Sequence, residues 1–227
     1  MATSGTKTWT LYVDEVIDES LSRIGSDPIT GKEASSARRT LNIMMRDWGN
    51  RGVQLWTIDE TTQTVTEGTA NYTLDTYLVD ITEAVLSRTE NSVRTDFQMA
   101  KINREDYMNI PVKSTKGRPS QFWLDMQRAA PVVYLYPTPE NSTDVFRYKR
   151  RNRIEDITAS TESIDIPDRF LPCAVSGLSF YMAQKRPQID INRRQELKLQ
   201  YEEEFKRALD DGREKVDLRI VPNIARA

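Results

Sequence analysis

The chain contains no histidine and only one cysteine, Cys173, among its 227 residues. Without histidine there is no Ser-His-Asp or Cys-His catalytic arrangement and no histidine-bearing zinc site. A single cysteine excludes an internal disulfide, a four-cysteine zinc site and a cysteine-held iron–sulfur cluster. The phosphate-cradling loops Gly-x-Gly-x-x-Gly and Gly-x-x-x-x-Gly-Lys-Ser/Thr are also missing. Only carboxylate, lysine or tyrosine chemistry remains, so we predict a protein that is not an enzyme and has no catalytic residues, cofactor or metal.

Neither sign of charge dominates the sequence. Lys and Arg number 32 against 34 Asp and Glu, which gives a formal net charge of −2. This balance disfavours a nucleic-acid binder that works through bulk positive charge. No apolar run approaches the ~18 residues of a membrane-spanning helix, and residues 1–7 lack the apolar segment of a signal peptide. We therefore expect a globular chain with no membrane partner.

The first 50 residues show helical periodicity. Apolar residues recur at steps of three and four over residues 10–24, and Gly25 is placed to end that helix. A second helix is predicted over residues 32–48, with Gly49 and Gly52 ending it. Because the polar link between the two helices is short, they are predicted to form an antiparallel hairpin.

After Gly52 the apolar period changes to two, which is typical of strands. The predicted strands cover residues 53–58, 62–66, 71–74, 79–88, 92–99, 121–126, 132–136 and 145–150. Glu67-Gly68 indicates a hairpin turn between the second and third of these. One helical turn is predicted over residues 103–108, with Asn103 as its cap and Pro111 after it. The middle of the chain is therefore predicted to be mostly antiparallel β.

Helical spacing returns after Pro167, in a helix that ends near Pro187. Asp190 is placed to cap a long helix over residues 191–211, which Gly212 closes. The last residues follow neither period, and Pro222 prevents a continuous helix, so residues 216–227 are predicted to be an extended tail.

Together these segments predict an α+β fold. Each terminal helix pair is too thin to be stable alone, so we expect both pairs to pack as one antiparallel helical bundle, with an antiparallel β domain inserted between them. The predicted divisions are residues 1–52 (N-terminal helical hairpin), 53–166 (inserted β domain), 167–215 (C-terminal helical pair) and 216–227 (extended tail).

The densest basic run in the sequence comprises Lys149, Arg150, Arg151 and Arg153. Basic residues beside aromatic ones, here Phe146 and Tyr148, can hold single-stranded nucleic acid by charge and stacking. On a strand, however, alternate residues share a face, so the aromatic side chains would face the core and the charges would face solvent. The run is thus a solvated strand face, a protein interface or a nucleic-acid surface.

Acidic clusters on the predicted helices do not suggest catalysis. Adjacent helical residues point about 100° apart, so the three consecutive glutamates at 202–204 do not converge on one point. Asp14, Glu15, Asp18 and Glu19 form the polar face of the first helix. Cys173 is interpreted as a small buried hydrophobic residue.

The four tryptophans divide into two groups. Trp48, Trp56 and Trp123 are predicted to anchor the core, whereas Trp9 precedes the first helix and either staples it or meets a neighbouring chain. The apolar residues of the tail cannot build a core of their own. They either pack back on their own subunit or fold onto a partner.

Three stretches, taken in order, resemble the head-to-tail adaptor proteins of short-tailed bacteriophages. Residues 38–56, RRTLNIMMRDWGNRGVQLW, are similar to the exit of the helical hairpin in those adaptors. Residues 117–127, GRPSQFWLDMQ, and 131–140, PVVYLYPTPE, resemble their strand pair. Residues 164–187, IDIPDRFLPCAVSGLSFYMAQKRP, with the following long helix and EKVDLRIVPNIARA at 214–227, resemble their C-terminal helices and tail.

The resemblance implies a structural virion protein: an adaptor ring, expected to be a dodecamer of this chain. Such a ring joins the portal of the phage head to the nozzle or next tail protein around the DNA exit channel. Genomic DNA passes through it without sequence-specific binding, and the subunit is in the host cytoplasm during assembly. The matching ring-building helices are residues 11–25, 32–48, 168–186 and 190–211. Some related adaptors cleave peptidoglycan, but no pair of carboxylates here matches a glycosidase dyad.

The resemblance also assigns interface residues. The portal-reaching tail corresponds to Val216, Leu218, Ile220, Val221, Pro222 and Ile224. Further candidate interface residues are Trp9, Lys149, Arg150, Arg151 and Arg153. We expect the tail to be mobile in the free subunit and ordered against the portal. Two alternatives stay open: a nucleic-acid-binding module that uses the basic strand at 147–153, and a carboxylate-based muralytic virion enzyme.

Overall fold

A computed structural model describes residues 9–25, 31–53 and 55–212 of the chain. Helices and mostly antiparallel strands occur together, so the predicted α+β class is confirmed. The helices are α1 (Val13–Ser22), α2 (Gly31–Asn50), α3 (Arg104–Met108), α4 (Leu171–Gln184) and α5 (Ile191–Asp211). The strands are β1 (Ile58–Thr64), β2 (Asn71–Thr73), β3 (Leu78–Glu90), β4 (Val93–Gln98), β5 (Ala100–Lys101), β6 (Lys116–Gly117), β7 (Gln121–Asp125), β8 (Val132–Tyr136), β9 (Thr138–Pro139) and β10 (Val145–Asn152).

The chain divides into two compact units. The helical unit comprises the chain up to Met44 and from Ile157 onward, and the sheet unit comprises Met45 to Asp156. The four divisions predicted from the sequence, with boundaries at 52, 166 and 215, stay predictions. The predicted tail over residues 216–227 lies outside the described residues.

Helix α1 begins at Val13, the first residue of its apolar stripe, and therefore later than the predicted start near Thr10. Tyr12 forms a β-bridge with Ser163, and the Val13 N–H donates to the Glu162 carbonyl at 3.0 Å. These contacts keep the preceding backbone extended, so the predicted start at Thr10 is wrong. The Glu15 carboxylate then accepts from the Tyr12 N–H at 2.9 Å, which satisfies a donor at the helix start. Gly25 follows the helix with φ of +66°, as its predicted role as terminator requires.

Helix α4 is the most buried element of the helical unit. One serine hydroxyl from each helix joins α4 to α1: the Ser20 side chain of α1 donates to the Val175 carbonyl at 3.1 Å, and the Ser179 side chain of α4 donates to the Ser20 carbonyl at 3.1 Å. At its C-terminal end, Arg186 pairs with Glu33 of α2 at 2.7 Å. Cys173 is fully buried within α4, which confirms its interpretation as a core residue.

The segment that follows Asp156 is tied to α2 through side chains. The amide of Asn42 donates to the Ile157 carbonyl at 3.0 Å, and the Ile157 N–H donates back to the same side chain at 3.0 Å. Glu162 closes this turn, because its carboxylate accepts from the Thr158 hydroxyl and from the backbone N–H of Ala159. These hydrogen bonds hold the pKa of Glu162 below its usual value.

Two four-stranded sheets form the core of the sheet unit. Their strand orders are β1-β10-β3-β4 and β2-β8-β7-β5. Phe122 of β7 and Phe146 of β10 meet edge to face, with ring centroids 5.9 Å apart, so the two sheets share one apolar interior. Strands β3 and β4 are joined by Asn91-Ser92, both at positive φ, as a two-residue hairpin turn requires.

Two strand predictions in this unit are wrong. Residues 55–57 form a short 3₁₀ turn, and the first strand begins only at Ile58. The turn at Glu67-Gly68 exists, yet its flanking strands do not pair with one another, because β1 pairs with β10 and β2 pairs with β8. Two short pairings, β5 with β7 and β6 with β9, are parallel rather than antiparallel.

Candidate interface surfaces

The basic run lies on β10, which is an interior strand of its sheet. Its burial alternates as the sequence predicts: Phe146 is fully buried and Tyr148 nearly so, while Lys149 is exposed. Phe146 and Tyr148 stack with centroids 4.9 Å apart. Because both long edges of β10 are paired, the charges do not serve to protect a sheet edge.

Acidic side chains on neighbouring strands pair with the cations of the outer face of β10. Arg147 forms ion pairs with Glu60 of β1 and, at 3.2 Å, with Asp96 of β4. Lys149 donates to Glu83 of β3 at 2.8 Å. This hydrogen bond and the charge of Glu83 raise the pKa of Lys149. The shallow surface that these residues line therefore carries both signs of charge rather than a basic patch.

Arg150 is paired at the opposite side of the same strand. Its guanidinium binds both carboxylate oxygens of Asp59, at 2.8 and 2.9 Å, and reaches Asp75 at 3.2 Å. The bidentate contact lowers the pKa of Asp59 and raises that of Arg150. The guanidinium of Arg150 is thus paired with carboxylates of its own subunit.

The two remaining basic candidates are placed differently. Arg151 is half-buried, and its Nε atom is buried without a hydrogen-bond partner among the residues that the structure describes. Arg153 is exposed just beyond β10, and its backbone N–H donates to the Tyr77 carbonyl at 2.9 Å. The structure therefore brings together only part of the predicted set, and Lys149 and Arg153 are its exposed members.

Trp9 belongs to a second surface, in the helical unit. Its side chain is 70% exposed and lines a groove of about 760 Å³ between the segment before α1, α1 itself and the start of α4. The apolar part of the groove is lined by Trp9, Leu11, Leu171, Pro172 and Val175. We define this as the Trp9 groove. Trp9 is therefore not a buried staple of α1, and its contact with a neighbouring chain stays a prediction.

The rim of the Trp9 groove is predominantly acidic. It carries Glu15, Asp18, Glu19 and Asp168, with Arg23 as its basic member. Arg23 is paired with Glu19 at 3.0 Å, and Glu15 accepts from the backbone of Tyr12. Asp18 and Asp168 are the other two acidic groups of this rim.

No sequence pattern predicts this groove as a whole. The acidic residues of α1 fit a solvated helix face, and Asp168, Leu171 and Pro172 lie about 150 residues further along the chain. The available signal was the pair of large apolar residues, Trp9 and Leu11, placed directly before a helix whose own apolar stripe begins at Val13.

In the described part of the chain, no group of three or more acidic or cysteine side chains is arranged to hold a metal ion. Among the same residues, none of the helices combines the length and apolar character that crossing a membrane requires.

The described fold and surfaces define a protein of the interaction class, with paired charges on its sheet and an open apolar groove on its helices. A family model, the SU10 adaptor protein, matches residues 12–226. The chain belongs to this family, and it is a structural phage adaptor protein. As such it is a virion component that interacts with other phage head and tail proteins. A search of curated proteins finds no match.

Proposed function

We propose that this chain is the subunit of an adaptor ring that connects the portal of a phage head to the nozzle or next tail protein around the DNA exit channel. The observation that carries the proposal is the match of the adaptor family over residues 12–226, which spans both compact units. In this proposal the ring is a dodecamer without catalytic activity, and DNA passes through it without sequence-specific contacts.

The helices are proposed to form one antiparallel bundle that builds the ring. Two contacts support this arrangement: Ser179 of α4 donates to Ser20 of α1, and Arg186, two residues after the end of α4, pairs with Glu33 of α2. A bundle in which one buried helix contacts its neighbours is rigid. A ring closes with a fixed number of copies only if its subunits keep a fixed shape.

The tail is proposed to bind the portal through Val216, Leu218, Ile220, Val221, Pro222 and Ile224. Each buried apolar side chain contributes about 1.5–3 kcal/mol before ordering costs, and ordering costs about 1–2 kcal/mol per residue. A single tail would therefore bind weakly. A closed ring engages the portal many times at once, which converts weak contacts into stable attachment.

The paired charges on β10 support a structural role over the nucleic-acid alternative. A phosphate backbone would have to displace Glu60, Glu83 and Asp59 from their cationic partners. The exit channel of an adaptor favours such a surface, because DNA must slide through it without adhering.

Reconstitution with DNA-filled heads that carry a portal tests the proposal. The full chain should bind these heads, and cryo-electron microscopy should show a twelve-fold ring below the portal. The chain without residues 216–227 should stay folded and fail to attach. As a control outside the tail, Leu199→Ser replaces an exposed apolar residue of α5 and should leave attachment intact. Normal attachment of the truncated chain would show that the portal is held elsewhere.

A further inference from the structure

We propose that, in the free subunit, the Trp9 groove binds the C-terminal segment of the same chain, residues 213–227. This intramolecular contact is distinct from portal binding. It also replaces the expectation from the sequence alone that the tail of the free subunit is mobile.

The position where the described chain ends favours this occupant. Helix α5 closes at Gly212, where an added β-carbon would lie 3.3 Å from Nε of Arg169. Arg169 directly follows Asp168, which stands on the rim of the Trp9 groove, and it is two residues before Leu171 in the groove wall. Gly212, the last described residue, therefore lies close to the residue that separates Asp168 from the groove wall. The 15 residues of 213–227 could span about 50 Å when extended, which is ample to reach the groove from Gly212.

The chemistry of the segment matches that of the groove. Residues 213–227 contain the four large apolar residues Leu218, Ile220, Val221 and Ile224, and four basic against two acidic side chains. The groove offers an apolar wall around Trp9 and an acidic rim that includes Asp18 and Asp168. Residues 1–8, which precede Trp9, contain Met1 and otherwise small or polar side chains, so they fit an apolar groove less well.

The contact gives the tail two alternative sites. In the free subunit the apolar side chains of residues 218–224 are covered by the groove. When the tail binds a portal, the same side chains would leave the Trp9 groove. Trp9 would then be exposed for contact within the assembled particle. Docking in the groove does not depend on the portal proposal, because it can be measured on the free subunit alone.

Fluorine NMR of the full chain tests the inference. Labelling with 5-fluorotryptophan gives one resonance for each of the four tryptophans, and loss of one signal in Trp9→Phe assigns that of Trp9. In the wild type, the H₂O-to-D₂O solvent shift of Trp9 should be about half or less of its value in the triple variant Leu218→Ser, Ile220→Ser, Val221→Ser. The other three resonances should be unchanged, which shows that the fold is intact. Leu199→Ser, at an exposed position of α5, is the matched control and should leave Trp9 shielded.

Charge reversal at the rim supplies an independent measurement. The double variant Asp18→Lys, Asp168→Lys should raise the Trp9 solvent shift toward that of the triple tail variant. A wild-type Trp9 with the same solvent shift as the triple tail variant would overturn the proposal. Shielding that persists in the triple variant would assign the groove to another segment, and shielding that is lost on dilution would assign it to a second copy. Either result would overturn binding of the chain's own tail.

Discussion

Gly177 of α4 lies so close to the ring of Tyr201 in α5 that a β-carbon at position 177 would stand 2.8 Å from Cε2 of that ring. The same β-carbon would stand 2.6 Å from Sδ of Met44 in α2. Tyr201 is in turn surrounded by aromatic rings, with centroids at 6.3 Å for Phe180 and 5.9 Å for Phe205. The absence of a side chain at Gly177 therefore sets how closely three helices approach.

Gly177→Ala should destabilise the helical unit. Overpacking a filled core costs roughly 1–3 kcal/mol, and the higher helix propensity of alanine returns at most about 1 kcal/mol. Met44 can move its flexible thioether, whereas the ring of Tyr201 is confined by its neighbours. We expect a net loss of about 1 kcal/mol or more, measured by urea unfolding.

Two further variants separate this clash from a general effect of alanine. Gly212→Ala meets only the flexible side chain of Arg169 and the Ala208 carbonyl, at 3.3 and 3.4 Å, and should change stability by less than about 0.5 kcal/mol. Adding Tyr201→Leu to Gly177→Ala should cost less than the two single changes together. Strictly additive losses would show that Gly177 and Tyr201 do not compete for space.

Much of the local structure could be predicted because it depends on neighbouring residues. Asp190 caps α5 by accepting from the Asn192 N–H at 2.9 Å, and Asn103 caps α3 by accepting from the Asp106 N–H at 2.8 Å. The predicted strand over residues 132–136 matches β8, and Trp48 is fully buried as expected. Capping and alternation are short-range signals, so the sequence contains them directly.

Pairings between distant segments could not be predicted in the same way. Thr62 lies opposite Arg147, not opposite a residue of the next strand, because β1 and β2 belong to different sheets. The Trp9 groove likewise joins residues near position 10 to residues near 170. Neither relationship has a local periodic signal, since both depend on the order in which the strands and helices pack.

Asp144→Ala should strongly destabilise the sheet unit. Asp144 is 1% exposed and accepts two hydrogen bonds from Arg88, at 2.9 and 2.7 Å. These contacts and those with Glu140 raise the pKa of Arg88. Breaking a buried pair so that one charge is left alone costs about 3–5 kcal/mol, but Arg88 is partly exposed and keeps its contact with Glu140 at 2.8 Å, so we expect a loss near the lower end of that range. Thermal and urea unfolding would measure the loss.

Glu90, which contacts the same arginine, provides the control for Asp144→Ala. Glu90 stands 3.9 Å from Arg88 and its side chain is 75% exposed, so Glu90→Ala should cost less than about 0.5 kcal/mol. Equal losses for Asp144→Ala and Glu90→Ala would indicate that burial does not determine the strength of this pair.

Acid should weaken the contact between Asp59 and Arg150. Because the pKa of Asp59 is lowered in the folded chain, its contribution is present above the unfolded value of about 4 and is lost as pH falls through the folded value. Asp59 is about half exposed, so the contribution is at most about 1 kcal/mol.

Asp59→Asn should therefore reduce the unfolding midpoint in urea at pH 7 and have a smaller effect at pH 3. In an Arg150→Met background, the effect of Asp59→Asn on the urea midpoint should be nearly the same at pH 7 and pH 3. The cation that lowers the pKa of Asp59 is then gone. An Asp59→Asn effect of the same size at both pH values would argue against this ion pair.

The basic strand should contribute more to protein contacts than to DNA affinity. Lys149 is bound to Glu83 and Arg150 to Asp59, so binding to phosphates would first require these pairs to open. A basic surface that neutralises several phosphates binds DNA less tightly as salt rises. For such a surface, the logarithm of the binding constant falls against the logarithm of the salt concentration with a slope of about −0.9 for each phosphate contact.

In fluorescence anisotropy, we expect the wild type to bind free duplex or single-stranded DNA weakly. The triple variant Lys149→Ser, Arg150→Ser, Arg151→Ser should show little further loss, but it should alter ring formation or attachment to the next tail protein. Lys206→Ser, at an exposed lysine of α5, serves as a control for the loss of a surface cation outside β10. Tight, salt-sensitive DNA binding by the wild type that the triple variant loses and Lys206→Ser retains would instead make β10 a nucleic-acid surface.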